Sequence, residues 1–315
     1  MDADATPAVG IVGGHGGIGR LFGRLLAAAG APALVSDRGT ELTNSDLAAR
    51  CDLILVAVPL RATPAVLSDI APHVRPDAAL ASLGSLMEPS LPALGRCAGH
   101  PFLLHPLFGP GRRGLRGATL ALAAPGLRPA GWSPGQADGP ANGDPASEGP
   151  RNHTTATSVA TRRRDWLLDL LRGRGATVVI TTPEEHDRAM AVAQALLHGV
   201  GAALASQALE GLPGPDPLAW ASPTLRLHLA LMARILHQNP RLYGDLLALN
   251  RHAPAAIDAL IGRLSALRDA MTSGPGAADA VADLFAAARD ALGPLGQALA
   301  AEGDQALGEG SDQQF

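Results

Sequence analysis

The chain has 315 residues, 47% of them apolar, and a formal net charge of −4, which is enough apolar material for two domains and too much for a disordered chain. All 25 basic residues are arginine and they are scattered, which makes nucleic acid and anionic membrane surfaces poor partners and excludes Schiff-base or P-loop lysine chemistry. Two cysteines, Cys51 and Cys97, cannot build a disulfide framework, and neither a basic leader nor a run of about 18 uninterrupted apolar residues is present, so a cytoplasmic, unanchored protein is expected.

Over the first 124 residues, short β-rich runs alternate with helical patterns: Val9 to Val12, Ala33 to Ser36, Leu53 to Val58, Ala78 to Leu83, Phe102 to Leu104 and Thr119 to Ala124. This alternation predicts an α/β domain with a Rossmann-like, doubly wound parallel sheet. The first run enters Gly13-Gly14-His15-Gly16-Gly17-Ile18-Gly19 and then an amphipathic helix. Gly14, Gly16 and Gly19 thereby take the three positions of a dinucleotide-binding turn, for the tight bend, for close approach to pyrophosphate and for helix–strand packing. With His15, Gly17 and Ile18 they form a candidate cofactor loop. Asp37 ends the second strand 18 residues after Gly19, where an acid accepts hydrogen bonds from the ribose hydroxyls of NAD. Arg38 follows and could hold a 2′-phosphate instead, which leaves NADP as the second cofactor reading. Val58 and Pro59 stand at the carboxyl end of the third strand, where ligands bind in such sheets.

From Pro125 to about Thr161 the chain is rich in Pro, Gly, Asn, Asp, Ser and Thr and reads as a mobile insertion that cannot bury a core. A helix from Arg162 to Arg174 and a strand from Thr177 to Ile180 follow, closing a nucleotide domain over residues 1–182. Beyond Pro183, Ala, Leu and Arg recur at helical spacing, predicting an all-helical C-terminal domain over 183–308 and a tail at 309–315. Its long Ala/Leu faces exceed what a small bundle hides, so a homodimer through this domain is expected. No strong metal-ligand spacing is present, and no catalytic metal is expected.

Three segments in order, Val58-Pro59, Ser82-Leu83-Gly84-Ser85 and Leu104-His105-Pro106-Leu107-Phe108-Gly109-Pro110, resemble the signature of prephenate dehydrogenases, the cyclohexadienyl dehydrogenases. Glu185-His186-Asp187, Gln194-Ala195-Leu196-Leu197-His198 and Ser222-Pro223-Thr224-Leu225-Arg226 continuing to Arg234 resemble that family's helical domain. The resemblance runs from about residue 9 to 250, the insertion excepted. It implies an NAD-dependent oxidative decarboxylation of a small-molecule substrate, prephenate, in a cleft between the two domains. His105 would be the catalytic residue: a neutral imidazole can accept the C4 hydroxyl proton while C4 gives hydride to nicotinamide. The family's serine at Ser85 would hydrogen-bond the C4 substituent or the histidine, and Arg234 would bind a substrate carboxylate, a task that suits a planar guanidinium. Arg226, His198 and His186 stand with it as substrate-binding candidates; the two histidines are twelve residues apart and cannot share a metal ion.

The family commonly has Asp before its serine motif and Lys just after it, where this chain has Ser82 and Leu86-Met87. Loss of the cation removes repulsion toward a C4 ammonium group, so 4-amino-4-deoxyprephenate, giving 4-aminophenylpyruvate for antibiotic biosynthesis, is expected as the alternative substrate; arogenate is a third choice. A catalytically silent NAD-binding protein is the non-enzymatic reading, since fold alone does not establish activity. A β-hydroxyacid dehydrogenase would need a lysine that the chain lacks. Only eight residues precede the first strand, so no mutase domain is expected.

Overall fold

Seven short runs rich in Val, Leu, Ile and Ala form one sheet, with helices in the intervals. In the computed structural model, which describes residues 6–124 and 154–308, the order is β1 (Val9–Val12), α1 (Gly17–Ala27), β2 (Leu34–Ser36), α2 (Asn44–Arg50), β3 (Leu53–Val56), α3 (Thr63–Ile70), β4 (Ala79–Ser82), α4 (Leu91–Leu94), β5 (His100–Pro106), β6 (Thr119–Ala123), α5 (Thr154–Gly173), β7 (Thr177–Ile180) and α6 (Pro183–Met190). Residues 125–153 of the expected insertion, and the 309–315 tail, lie outside the described residues. The chain divides into two compact units, Met1–Met190 with Gly244–Asn250, and Ala191–Tyr243 with Arg251–Phe315.

The sheet order is β2-β1-β3-β4-β5-β6-β7. Strands β1 to β5 are parallel, the Rossmann-like arrangement that alternating strands and helices dictate. The last two depart from a uniformly parallel sheet: β6 pairs with β5 antiparallel and β7 follows β6 in parallel. The physical reason is the connection. Residues 107–118 contain no helix, so the chain turns back beside β5 instead of crossing over the sheet.

Successive residues of a strand face opposite sides, so a sheet covered on both faces needs unbroken apolar strands. Leu53 and Leu55 of β3 pack with Phe22 and Leu26 of α1 and Leu167, Leu168 and Leu171 of α5. Ile54 and Val56 pack on the other side with Leu47 of α2, Leu67 and Ile70 of α3 and Leu94 of α4. Helix α5 starts at Thr154, eight residues before the expected Arg162. Its Thr-rich first turns have weak helix propensity, but Ala160 is fully buried, and tertiary packing overrides propensity there. The same helix is pinned by Arg163, whose nearly buried guanidinium pairs with Asp52 at 2.8 Å and Asp77 at 3.2 Å, just before β3 and β4.

The second unit is all-helical: a single π turn (Ala191–Leu196), α7 (Leu197–Gly211), α8 (Pro223–Leu236), α10 (Ala253–Met271), α11 (Ala277–Leu292) and α12 (Leu295–Leu307). Between α8 and α10 runs α9 (Pro240–Ala248), whose residues from Gly244 on belong to the first unit. Ser222 caps α8 by accepting the Leu225 N–H at 3.2 Å, the N-cap role its hydroxyl suits. Ala205, Met232 and Ile235 make a small core with Leu229 and Tyr243. No residue of α11 or α12 is buried, and Phe285 and Leu295 are 68% and 67% exposed.

Two glycines of α1 test the packing at its start. A Cβ on Gly19 would run into the Gly13 carbonyl oxygen and lie 2.7 Å from Gly14 Cα, whereas one on Gly23 meets only Ile11 Cδ1 at 3.8 Å. Gly19→Ala is expected to lower unfolding free energy by about 1–3 kcal/mol, the usual cost of overpacking, and Gly23→Ala to raise it by about 0.5–1 kcal/mol through helix propensity. Urea denaturation of both variants checks this, and equal effects would contradict the packing account.

Candidate active site

The turn after β1 is where the backbone must bend sharply, and the bend sits at Gly13, one residue earlier than the sequence pattern suggests. Gly13 has φ of 81°, a left-handed conformation that favours glycine, and a Cβ there would lie 2.7 Å from the Ala57 carbonyl oxygen. Gly14, expected to permit the turn, is required by a different neighbour: an added Cβ would meet Val35 Cγ1 at 2.5 Å. Helix α1 follows with Gly16 as its N-cap and no side-chain cap, which leaves first-turn N–H groups available to an anion. A cavity of about 700 Å³ opens here, lined by Gly13, His15, Gly16, Asp37, Arg38 and Val58 among others, Pro59 included. Gly14, Gly17, Ile18 and Gly19 are not in its lining; Ile18 packs half-buried against the apolar core.

Asp37 closes one side of this cavity. Its carboxylate accepts the His15 N–H at 2.9 Å and the Arg38 N–H at 2.7 Å, tying the end of β2 to the glycine loop. Partial burial raises its pKa, but the two backbone donors and the nearby charges outweigh this and hold the carboxyl below its ordinary value. A carboxylate has about four lone-pair directions, so two remain for ligand hydroxyls.

The second half of the site lies at the carboxyl end of β5. His105 is 2% exposed, and its Nδ1 stands 2.9 Å from His186 Nε2, the rings meeting edge to face with centroids 5.0 Å apart. His186, at the first turn of α6, places its Nδ1 2.7 Å from Asp187 Oδ1. Asp187 also accepts the Met87 N–H at 2.8 Å and the Glu88 N–H at 2.9 Å, while its own carbonyl accepts from Asn250 Nδ2 at 2.7 Å. The result is a buried chain from His105 through His186 to a carboxylate. Burial pushes His105 down to about 3, and the adjacent His186 adds to the effect.

Other residues singled out from the sequence fall elsewhere. Both ring nitrogens of His186 are engaged, by His105 and Asp187, so the ring has no nitrogen left for a substrate; this corrects its expected contact. Ser85 is half-buried with no hydrogen bond to His105 among the described residues. The Met87 side chain is buried in the apolar cluster on one face of the sheet, and its backbone N–H donates to Asp187. In the second unit, His198 meets Tyr243 edge to face at 5.2 Å. Burial and then the Arg234 charge lower the His198 pKa. Arg234 lies exposed on α8, and Arg226, on the same helix, donates to the Leu218 carbonyl at 3.0 Å. Among the described residues no group of three or more His, Cys, Asp or Glu gathers as a metal site.

Sequence reasoning missed Asp187 and Tyr243. The dipeptide His186-Asp187 was the available signal, since an acid beside a histidine is a common orienting partner.

Residues 30–123 match the family model described as prephenate dehydrogenase, nucleotide-binding domain, and residues 182–286 the model described as prephenate dehydrogenase, dimerization domain. A probable arogenate/prephenate dehydrogenase of Methanocaldococcus jannaschii is 27% identical over 260 residues, covering 77% of this chain and 52% of that protein. A 4-amino-4-deoxyprephenate dehydrogenase of Streptomyces pristinaespiralis is 29% identical over 314 residues, covering 92% of each. The chain spans about half the length of the first curated relatives it matches. Among solved structures, prephenate dehydrogenase from A. aeolicus in complex with hydroxyphenyl propionate and NAD+ superposes with a TM-score of 0.64 at 16% identity, covering 91% of this chain and 98% of that one, a likeness of fold.

The burial of His105 has a measurable consequence. An exposed histidine titrates near 6.5 and is mostly protonated at pH 5. With the folded value at about 3, the neutral ring persists as the pH falls through 6.5 and is lost only near 3. Ring-nitrogen chemical shifts of His105 in the folded protein at pH 5 should be those of a neutral imidazole; a protonated ring at pH 5 would contradict this electrostatic picture.

Proposed function

The chain belongs to the prephenate dehydrogenase family, and we propose that it catalyses the NAD-dependent oxidative decarboxylation of prephenate or a close analogue to an aromatic pyruvate. The observation that carries this is a buried His105 at a strand end of a nucleotide-binding domain, backed by a hydrogen-bonded chain to a carboxylate. The glycine-loop cavity supports NAD as cofactor: it has a left-handed glycine, an uncapped helix start and the charged Asp37 at its rim. That carboxylate suits a ribose 2′-hydroxyl and opposes a 2′-phosphate, which favours NAD over NADP even with Arg38 beside it.

When bound, NAD would accept the hydride from C4. His105 takes the C4 hydroxyl proton as the carbon–hydrogen bond breaks, and returns it to the phenolic oxygen once the ring carboxylate leaves as carbon dioxide and the ring becomes aromatic. Protons therefore balance on one imidazole. Ser85, near in sequence to the grip on Asp187, is read as orienting the C4 substituent. Arg234, whose guanidinium has no hydrogen-bond partner among the described residues, is read as the anchor of a substrate carboxylate, with His198 and Tyr243 beside it in the helical unit. Arg226 is read as a secondary contact.

A second substrate reading, 4-amino-4-deoxyprephenate giving 4-aminophenylpyruvate, is favoured by the Streptomyces pristinaespiralis relative, which matches over 92% of both chains. A neutral acceptor at His105 suits a C4 ammonium as well as a hydroxyl, and no lysine stands anywhere in the chain to repel it. Arogenate, named for the Methanocaldococcus relative, is third.

We also read the helical unit as the surface of a homodimer in the cytoplasm. The helix from Pro183 to Gly211 is long and apolar enough to cross a membrane, with 28% of its apolar window buried within the chain. Leu197, Leu204 and Leu209 are exposed on it, and a second copy covering them fits the dimerization-domain match.

NADH formation at 340 nm with prephenate and with 4-amino-4-deoxyprephenate at matched concentrations tests the reading. Turnover of at least one is expected, and the higher kcat/KM names the substrate; inertness toward both sinks the proposal. Arg234→Gln should raise KM at least tenfold with a smaller change in kcat, and an unchanged KM would remove Arg234 from the site.

A further inference from the structure

An imidazole can be a base at either nitrogen, and only the nitrogen without a proton serves. We propose that His186 and Asp187 are a positioning pair that holds His105 in the tautomer protonated at Nδ1, so that Nε2 presents the lone pair that takes the substrate proton. The proposal deepens the reading of His105 as the base and rests on it in that step.

The assignment follows from counting donors. Three N–H groups converge on the two oxygens of Asp187: Met87 N at 2.8 Å and His186 Nδ1 at 2.7 Å on Oδ1, and Glu88 N at 2.9 Å on Oδ2. A carboxylate in that position only accepts, so the His186 proton is on Nδ1. In the proposed arrangement that is the only proton His186 carries, so its Nε2 is bare and the 2.9 Å contact becomes a hydrogen bond when His105 Nδ1 donates into it. The remaining nitrogen of His105, Nε2, is left bare. All three side chains are at most 3% exposed, and an unmade buried hydrogen bond costs about 1–3 kcal/mol.

The interposed imidazole also explains why the acid is not placed directly against the base. A carboxylate in contact with His105 would favour its protonated form. Here the charge stands one ring further away, across the 5.0 Å separation of the two ring centroids, so the orientation is passed on while the charge is kept at a distance.

A merely structural pair would tie β5, α6 and the segment around Met87 together without setting a tautomer. Ring-nitrogen NMR of the full chain with labelled histidine separates the two. In the wild type, His105 is expected to carry its proton on Nδ1; a proton on Nε2 overturns the proposal. Asp187→Asn can present its amide to His186 and reverse the chain of donors, so His105 should move toward the Nε2-protonated form, with kcat falling about 100-fold or more and NAD affinity within about threefold. An unchanged tautomer with unchanged kcat overturns it.

Because Asp187→Asn could fail to fold, a second pair of variants leaves the grip on Met87 and Glu88 intact. His186→Leu removes the acceptor for His105 Nδ1–H and should lower kcat by a similar factor, and His186→Gln supplies a carbonyl acceptor and should recover at least tenfold of that loss. Equal losses in the two variants overturn the proposal. The tautomer measurement uses no substrate, so it stands or falls apart from the proposed reaction.

Discussion

A neutral imidazole taken out of water is the constraint around which the first unit is arranged. His105 sits at the end of β5, where burial first and the adjacent His186 second disfavour its protonated form, and its hydrogen-bonding capacity must be met by protein groups. The sheet places it there: β5 is flanked by β4 and β6, and Leu103, two residues earlier on the same face, is part of the apolar cluster that also holds Met87. The same burial that makes His105 an acceptor near neutral pH makes its partners obligatory. His186 meets this requirement on one side, and Asp187 meets the requirement of His186 in turn.

The glycine loop solves a parallel problem with backbone in place of side chains. A left-handed Gly13 and a cap without a side chain at Gly16 leave room where a Cβ would intrude. Asp37 takes two backbone N–H groups, so the carboxylate that would meet a ribose is already oriented before any ligand arrives. Preorganisation of this kind lowers the ordering cost of binding.

Much of this architecture was legible in the sequence because it follows from local rules. The buried strands read as unbroken apolar runs, and the half-exposed β2 and β7 were visible as short β-rich runs. The glycine loop was visible as spacing, although the position with positive φ was misassigned by one residue, because spacing says which residues are glycine and not which neighbour crowds each. The reversed direction of β6 and β7 was hidden: it depends on the absence of a helix in residues 107–118, and alternation elsewhere suggested otherwise. The first turns of α5 were hidden because Thr-rich sequence looks like loop until Ala160 finds a core to pack in. At the site, His105 stood out through its motif, whereas the contacts of His186 and of the Met87 backbone N–H did not. Both depend on contacts between residues about 80 to 100 positions apart, and no local pattern encodes which face such a residue will present. Asp187 was in plain view beside His186, but its importance comes from the three donors that surround it.

We propose that His105 removes the substrate proton and is separate from the cofactor-binding apparatus. His105→Asn keeps a polar side chain of lesser reach at the strand end and lies outside the lining of the glycine-loop cavity. Steady-state turnover of this variant, measured beside its NAD affinity, is the most direct test: turnover should fall by about 10²–10⁴-fold while the affinity for NAD stays within about threefold. Turnover close to wild type, or a loss of NAD binding large enough to account for the fall, would contradict the account.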